Sequence, residues 1–280
     1  MPELPEVESV RTGLEKLIKG LKIKQVTVLW DRIIAEPSDI RLFKEKIKNQ
    51  RIESIGRRGK FLLFFLTDYV MISHLRMEGK YRIESRDVPI SKHTHVIFEL
   101  EDGRELRYLD VRKFGRISLI PRDTELAHAS IAKLGPEPVR ETLILETFKT
   151  QLLKRKKTIK ATLLDQTVIA GIGNIYADEI LFEAKIYPAR MANTLTEIEL
   201  VTLYEAILLV MGKAVKAGGT TIRTYQNAFG ETGSYQSFLN VYGKNGQNCP
   251  RCGTIIEKTK VAQRGTHYCP NCQSESQLVR

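Results

Sequence analysis

The four cysteines of this chain all lie near its C-terminal end, in two Cys-x-x-Cys pairs. The pairs are Cys249 with Cys252 and Cys269 with Cys272, and sixteen residues separate them. Each pair bends two thiolates towards one ion, and two such pairs complete a tetrahedron that leaves no coordination position open for chemistry. The spacing therefore predicts one structural Zn²⁺, and it argues against disulfides or a redox motif.

The segment between the two pairs, residues 254–268, alternates in polarity like a β-hairpin. We expect Arg264 and Gly265 at the tip of this hairpin. A zinc ribbon this small has little core, so binding of the ion is expected to fold it. Lys258, Lys260 and Arg264 give the hairpin a positive charge, which favours contact with a polyanion.

Lysine and arginine outnumber the acidic residues, 44 to 33, which gives the 280-residue chain a formal net charge of +11. This balance favours nucleic acid as a partner, although an anionic membrane surface would also fit. The longest apolar run, 61–66, is far too short to cross a bilayer. The acidic N-terminal segment lacks the features of a secretory signal, so a cytoplasmic protein with no membrane partner is expected.

Hydrophobic periodicity divides the chain into a helix, a β-rich region and a helical region. Apolar residues recur at helical spacing over 7–18, directly after Pro2 and Glu3. Short β-rich runs follow from 22 to about 120, which predicts a sheet domain, most simply a sandwich. Within it, Asp102-Gly103 has the composition of a tight hairpin turn.

Two prolines in the segment 134–138 break the β pattern, and helical periodicity continues from there to about residue 217. One long amphipathic helix is predicted over 200–214, and two helices separated at 171–173 are predicted within 159–186. The segment 217–237 is rich in Gly, Ser and Thr. Its composition fits either a mobile lid or a linker.

Five motifs along the chain occur together in one enzyme family. They are MPELPEVE at 1–8, HLRMEGKY at 74–81, LDVRKFGR at 109–116, LDQTVIAGIGNIY at 164–176, and the cysteine hairpin. Together they resemble the bacterial formamidopyrimidine-DNA glycosylases, which are also DNA-(apurinic or apyrimidinic site) lyases. The likeness covers essentially the whole chain, with no departure at a position that matters to the family's chemistry.

The resemblance implies an α+β multidomain fold, with DNA bound between two lobes. Residues 1–133 are expected to form a catalytic domain, an N-terminal helix with a β-sandwich. Residues 134–236 are expected to form a helix-two-turns-helix DNA-binding domain that carries a lesion-capping loop. Residues 237–280 are expected to form the zinc-ribbon hairpin.

The same resemblance implies that Pro2 is the nucleophile once Met1 has been removed. Its secondary amine would attack the anomeric carbon of a damaged nucleotide and form an iminium Schiff base. An α-amino group titrates at about 8, against about 10.4 for lysine, so more of it is unprotonated near neutrality. Glu3 would protonate the opening sugar ring. The structural alternative for Pro2 is a proline that starts a helix. The alternative for Glu3 is an acid that stabilises the positive end of that helix.

Two further catalytic residues follow from the resemblance. Lys60 matches the lysine that assists base release and the first elimination, whereas the neighbouring Arg57 and Arg58 are interpreted as solvated charge. Arg264 matches the arginine of the family's zinc hairpin. That arginine binds the phosphates beside the lesion and is linked to the second elimination.

The DNA contacts are expected at several separated positions. The glycine turn before Asn174 would leave free amide groups at a helix N-terminus, where a phosphate can bind, and Asn174 is expected to be the side-chain contact. Further contacts implied by the resemblance are His74, His93, Arg112, Arg155 and Tyr242, although an isolated histidine on a strand is more often structural. The basic run 154–157 suits backbone contact by itself.

A base inside a duplex must be everted before an enzyme can reach it, and a wedge must fill the gap. Met77, Arg112 and Phe114 resemble the intercalating set of the family. On the strand pattern alone Met77 and Phe114 would be interpreted as core. Contacts to the everted base are expected from Glu78, and from Thr221 and Thr224 in the capping loop.

These expectations describe a base-excision-repair enzyme that removes 8-oxoguanine and formamidopyrimidines from double-stranded DNA and then performs β- and δ-elimination. It is expected to act as a monomer, with zinc as its cofactor. Two alternatives remain at this point. One is an endonuclease VIII-like glycosylase for oxidised pyrimidines, against which Leu4, Arg112 and Phe114 argue. The other is a noncatalytic zinc-ribbon DNA-binding protein.

Overall fold

The computed structural model describes residues 1–220 and 233–274, and it has the mixed helix-and-sheet composition predicted from the sequence. The chain divides into two compact units. The first contains Met1–Ala132 together with the described part of Gly218–Ser234, and the second contains Lys133–Ala217 and Tyr235 onwards. The zinc hairpin and the helices between Lys133 and Ala217 thus lie in one unit. The finer division into three domains stays a prediction.

Helix α1 (Leu4–Ile18) opens the first unit, as the apolar spacing predicts. It buries Val7, Val10 and Leu14 among other apolar residues, because these positions share one face of the helix. Its N-terminus carries a capping box formed by Glu3 and Glu6, with proline in the first turn.

Two sheets follow α1 and share one hydrophobic core. Their strands, in chain order, are β1 (Ile23–Val28), β2 (Ile34–Glu36), β3 (Ile52–Arg58), β4 (Phe61–Leu66), β5 (Tyr69–His74), β6 (Lys80–Ser85), β7 (Thr94–Leu100), β8 (Arg104–Leu109) and β9 (Arg116–Pro121). One sheet has the order β1-β7-β8-β6 and the other β2-β9-β5-β4-β3. Apolar side chains of both sheets and of α1 belong to one buried cluster, in which Phe64 of β4 lies 5.3 Å from Tyr81 of β6. The predicted sandwich is confirmed.

The region from residue 22 to about 120, predicted to consist of short β-rich runs, also contains helical segments that the pattern did not predict. Helix α2 (Ile40–Ile47) interrupts it, capped by the Asp39 side chain, which accepts a hydrogen bond from Arg41 N at 2.8 Å. This helix buries only Phe43 and Ile47, so its apolar signal is short and is easily lost among the neighbouring strands. The predicted turn at Asp102-Gly103 does join β7 to β8, with Gly103 at φ +91°.

The rest of the described chain contains five α-helices and one β-hairpin, joined by irregular segments. Its α-helices are α3 (Ala129–Ala132), α4 (Leu145–Leu153), α5 (Ile159–Leu164), α6 (Asn174–Glu183) and α7 (Glu197–Lys216), and the antiparallel hairpin of β10 (Glu257–Val261) and β11 (Arg264–Tyr268) follows them. The break at 171–173 separates α5 from α6, as predicted. Short 3-10 helices lie at Asp31–Ile33, Ala192–Thr194 and Tyr235–Phe238.

Within residues 1–220 and 233–274, none of the helices has the length and hydrophobicity that a bilayer-spanning segment requires.

Candidate active site and nucleic-acid contacts

The N-terminus of α1 places Pro2 and Glu3 in buried positions, with Glu3 only 2% exposed. Within the capping box, Glu6 Oε2 accepts a hydrogen bond from Glu3 N at 2.8 Å. The structural alternative considered for Glu3, an acid at the helix N-terminus, is therefore realised in the fold. Capping does not exclude proton transfer, because a carboxyl group at this position still lies next to the Pro2 amine in the chain.

Glu6 has a second role that the sequence pattern did not single out. Its Oε1 accepts hydrogen bonds from Thr220 N at 2.7 Å and from Thr220 Oγ1 at 3.1 Å. Gly219 lies against the same carboxyl group at φ +78°, and a Cβ there would overlap Glu6. Glu6 thus links Gly219 and Thr220, which follow α7, to the N-terminal residues Pro2 and Glu3. The capping-box spacing from Glu3 to Glu6 is the one sequence signal that could have drawn attention to it.

Lys60 lies in the turn between β3 and β4, beside Gly59 at φ +55°. Its side chain is buried, with 6% of the residue exposed. Arg57 fixes this turn to α1, because Arg57 Nε donates to Glu8 Oε2 at 2.8 Å and Arg57 Nη1 donates to Gly59 O at 3.0 Å. The interpretation of Arg57 as solvated charge is therefore wrong: its side chain is 12% exposed and holds the Lys60 turn.

His74 ends β5 and is buried with its ring edge against Phe61, the two centroids 4.5 Å apart. Its Nδ1 accepts a hydrogen bond from Arg76 N at 2.9 Å, which leaves the proton of the neutral imidazole on Nε2. Burial, followed by the positive charges of Arg76 and Lys60, lowers the pKa of His74 to about 3. The imidazole of His74 is therefore a neutral N–H donor.

We expect His74 to stay neutral at every pH at which the protein is used. Because its folded pKa lies below the unfolded value of about 6.5, it stabilises the fold fully above pH 6.5. That contribution is lost at about 1.4 kcal/mol per pH unit as the pH falls towards 3. An NMR titration of the His74 ring should show no protonation above about pH 4. A midpoint for His74 between pH 6 and 7 would contradict this assignment.

Met77 and Phe114 are exposed, 36% and 49% respectively, although the strand pattern alone would make them core. Each belongs to a loop of the first unit, Met77 between β5 and β6 and Phe114 between β8 and β9. The guanidinium of Arg112 lies over the Phe114 ring, 4.8 Å from its centroid. Glu78, next to Met77, is also exposed.

A buried carboxylate shapes the loop that carries Arg112 and Phe114. Asp110 is 1% exposed, and its two oxygens accept hydrogen bonds from the backbone N–H groups of Arg112, Phe114 and Gly115 at 2.8–3.0 Å. Asp110 N in turn donates to the carbonyl of His93 at 2.9 Å, so His93 lies beside this loop. The sequence does not indicate this role of Asp110, because its hydrogen-bond partners are backbone N–H groups.

The four cysteines lie together, with all Sγ atoms within 4.8 Å of one another. Cys249 and Cys272 are 3.9 Å apart, and Cys252 and Cys269 are 3.5 Å apart. Tetrahedral Zn²⁺ with Zn–S bonds of about 2.3 Å requires S···S separations of about 3.8 Å. The donors and their spacing therefore fit one structural zinc, as predicted.

The turn of the zinc hairpin differs by two residues from the expectation. Ala262 and Gln263 form the tip, at φ +51° and +59°, whereas Arg264 is the first residue of β11 and pairs with Val261. Two successive positive φ angles produce the type of turn that matches strand twist. Arg264 is exposed beside this turn.

Helix α6 and the zinc hairpin are joined by part-buried hydrogen bonds. Asn174 Nδ2 donates to Gly265 O at 3.0 Å, so Asn174 lies one residue from Arg264 on the hairpin. Lys160 Nζ donates to the same carbonyl at 3.0 Å and pairs with Asp178 at 2.7 Å, and both charged side chains are fully buried. The structure thus brings two predicted DNA contacts, Asn174 and Arg264, into one cluster.

The remaining predicted contacts lie elsewhere in the second unit or beyond the described residues. Arg155 follows α4 and lies 3.6 Å from Asp165 Oδ2, half-buried. Tyr242 donates its backbone N–H to Glu179 at 2.9 Å, and its ring packs edge-on against His267. Thr221 and Thr224 lie outside the described residues.

Three family models match this chain. The N-terminal domain model of formamidopyrimidine-DNA glycosylase matches residues 1–117, and the H2TH domain model of the same enzyme matches residues 134–226. A model described as the zinc finger found in FPG and IleRS matches residues 246–274. This chain belongs to the formamidopyrimidine-DNA glycosylase family.

Individual family members are similar to this chain over their full length. The formamidopyrimidine-DNA glycosylase of Enterococcus faecalis is 56% identical over 98% of this chain and 97% of its own. That of Streptococcus pneumoniae is 54% identical over 98% of this chain and 99% of its own. A solved complex of Lactococcus lactis Fpg with DNA containing an abasic site has a TM-score of 0.93 and 46% identity, over 98% of this chain and 100% of that one.

Membership of the formamidopyrimidine-DNA glycosylase family confirms the fold class, the zinc and the enzyme class predicted from the sequence. The chain is a base-excision-repair glycosylase with lyase activity, and the noncatalytic zinc-ribbon alternative is wrong. The roles of individual site residues stay predictions.

Proposed function

We propose that this glycosylase excises oxidised purines from double-stranded DNA through a Schiff base on Pro2 and then cleaves the strand by β- and δ-elimination. The observation that carries the proposal is the buried N-terminus, where Pro2 and Glu3 directly precede α1 and Glu6 fixes the Glu3 backbone. A nucleophile held in this way presents one orientation to a sugar carbon, and orientation contributes strongly to rate.

The chemical roles follow from the groups present in the first unit. The Pro2 amine attacks the anomeric carbon, while Glu3 supplies a proton to the opening sugar ring. Lys60 stands in a buried turn that Arg57 ties to α1, so its amine is held and not left free in solvent. These features support a role for Lys60 in base release and the first elimination.

The second unit supports binding of the DNA backbone. Asn174 begins α6, where the positive end of the helix dipole favours a phosphate. Arg264 lies one residue from the carbonyl that Asn174 holds, so one phosphate segment can contact both side chains. We propose that this pair grips the strand and that Arg264 assists the second elimination, while Arg155 and Tyr242 provide further contacts.

The proposed substrate is an oxidised purine paired in a duplex. Solved complexes of the similar Lactococcus lactis Fpg hold DNA with an abasic site or with N7-benzyl-Fapy-dG. We expect this chain to release 8-oxoguanine much faster than thymine glycol from otherwise identical duplexes, measured by single-turnover base release. Equal rates, or faster release of thymine glycol, would support the endonuclease VIII-like alternative instead.

We further propose that one copy of the chain carries out the whole reaction as a monomer. The groups assigned to chemistry and to phosphate binding all occur in a single chain. Since the similar proteins are bacterial, the DNA substrate lies in the cytoplasm, and we place the enzyme there. Sedimentation of the protein bound to a lesion duplex should give one protein per duplex.

A further inference from the structure

The loop that contains Met77 and the loop that contains Phe114 are expected to form the wedge that fills the gap left by the everted base. Both loops lie against one buried side chain, Tyr108 of β8. A Cβ placed on Gly79 would overlap the Tyr108 hydroxyl, and so would a Cβ placed on Gly115. Gly79 lies two residues after Met77, and Gly115 directly follows Phe114. The hydroxyl therefore contacts the main chain at the base of both loops.

The Tyr108 hydroxyl is unusual because it is buried and, within the described residues, has no hydrogen-bond partner. Leaving a buried hydroxyl unpaired costs free energy, and a phenylalanine at this position would avoid that cost. The neighbouring Tyr81 shows the ordinary arrangement, because its hydroxyl donates to Ser73 Oγ at 2.8 Å. Fold stability alone therefore does not account for the oxygen of Tyr108.

The ring of Tyr108 is itself held rigidly. It packs edge-on against Tyr81, with centroids 5.1 Å apart, and Tyr81 packs against Phe64 of the opposite sheet. Burial also raises the pKa of Tyr108 well above its usual range, so the hydroxyl stays neutral. A fixed ring with an oxygen between two glycines acts as a spacer of constant length.

We propose that Tyr108 is a positioning residue for base eversion, whose hydroxyl sets the separation between the Met77 loop and the loop of Arg112 and Phe114. Asp110 fixes the shape of the second loop, and Tyr108 fixes its distance from the first. Glycine at positions 79 and 115 leaves room for the hydroxyl, and at Gly79 the carbonyl oxygen of Leu75 also excludes a Cβ. This inference rests on the proposed wedge role of Met77, Arg112 and Phe114.

The test compares Tyr108→Phe with Tyr81→Phe, which removes a hydroxyl from the adjacent ring, where it donates to Ser73 Oγ. Tyr108→Phe should leave the melting temperature equal or higher, yet slow release of 8-oxoguanine opposite cytosine by about tenfold or more, since small misplacements can cost up to about 10²-fold. Release of 8-oxoguanine placed opposite an abasic site, where no base is orphaned, should change far less. Tyr81→Phe should not produce this dependence on the opposing site.

A second pair of variants tests the spacer itself. Gly115→Ala should impair release from the paired lesion strongly, and less so in the Tyr108→Phe background, because the oxygen 1.7 Å from the new Cβ is gone and only the ring carbon Cζ, at 2.7 Å, still overlaps it. Equal slowing of both substrates by Tyr108→Phe, or no slowing of either, would overturn the inference. If Met77→Ala and Phe114→Ala have no effect on the paired substrate, the proposed wedge fails instead, and the two failures are thereby distinguished.

Discussion

A Glu3→Gln variant is expected to bind a lesion duplex as tightly as the parent protein while releasing the base about 10²–10⁴-fold more slowly, the usual contribution of a positioned acid. Glutamine keeps an oxygen that can accept the helix-capping hydrogen bond, so α1 should begin at the same residue. It lacks an acidic proton for the sugar ring. Binding is measured by fluorescence anisotropy and base release by single-turnover kinetics.

The control for this substitution is Glu45→Gln on α2, which removes the same charge from an exposed position. It should alter neither affinity nor release. If Glu3→Gln weakens DNA binding as much as it slows release, Glu3 does not act as an acid, and its function is limited to capping α1.

A Cys269→Ser variant is expected to lose zinc and unfold the hairpin while the first unit keeps its structure. Structural zinc in small modules supplies about 10–16 kcal/mol of apparent binding free energy, far more than the few apolar contacts of this module can replace. The buried cluster here contains three of the four cysteines and three other side chains, Phe182, Val241 and Ile256. Metal content and hydrogen exchange of residues 246–274 report the loss.

The same variant should reduce DNA affinity about tenfold or more, because charged hydrogen bonds to phosphate contribute about 1.5–3 kcal/mol each and Arg264 loses its position. Lys258→Ala, an exposed change on the same hairpin, is the control and should retain zinc. A zinc-free protein with a protected hairpin and unchanged affinity would show that the metal is not needed for folding or for binding.

The elements with strong periodic patterns could be predicted from the sequence. Helix α1, the long helix α7, most strands and the break before α6 follow directly from the spacing of apolar residues and from glycine. Helix α2 and strand β2 could not be predicted, since each is short and its stability comes from packing against other elements. The predicted position of the hairpin tip was two residues too far along the chain, because the positive φ angles are adopted by Ala262 and Gln263 and not by a glycine.

Site residues that belong to a sequence motif could be predicted. Site residues whose role depends on tertiary contacts could not. Pro2, Lys60 and the cysteines are recognisable by position in the chain. Asp110 and the Lys160–Asp178 pair are not, because their partners are backbone groups or residues far away in sequence. Such supporting groups hold the motif residues in place, and only a three-dimensional structure reveals them.

The Pro2 mechanism is tested most directly by reduction with borohydride during reaction with an 8-oxoguanine duplex, followed by mass mapping of the protein–DNA adduct. We expect one covalent adduct on Pro2, in protein that has lost Met1. An adduct on Lys60 in its place, or full excision activity in protein that retains Met1, would contradict it.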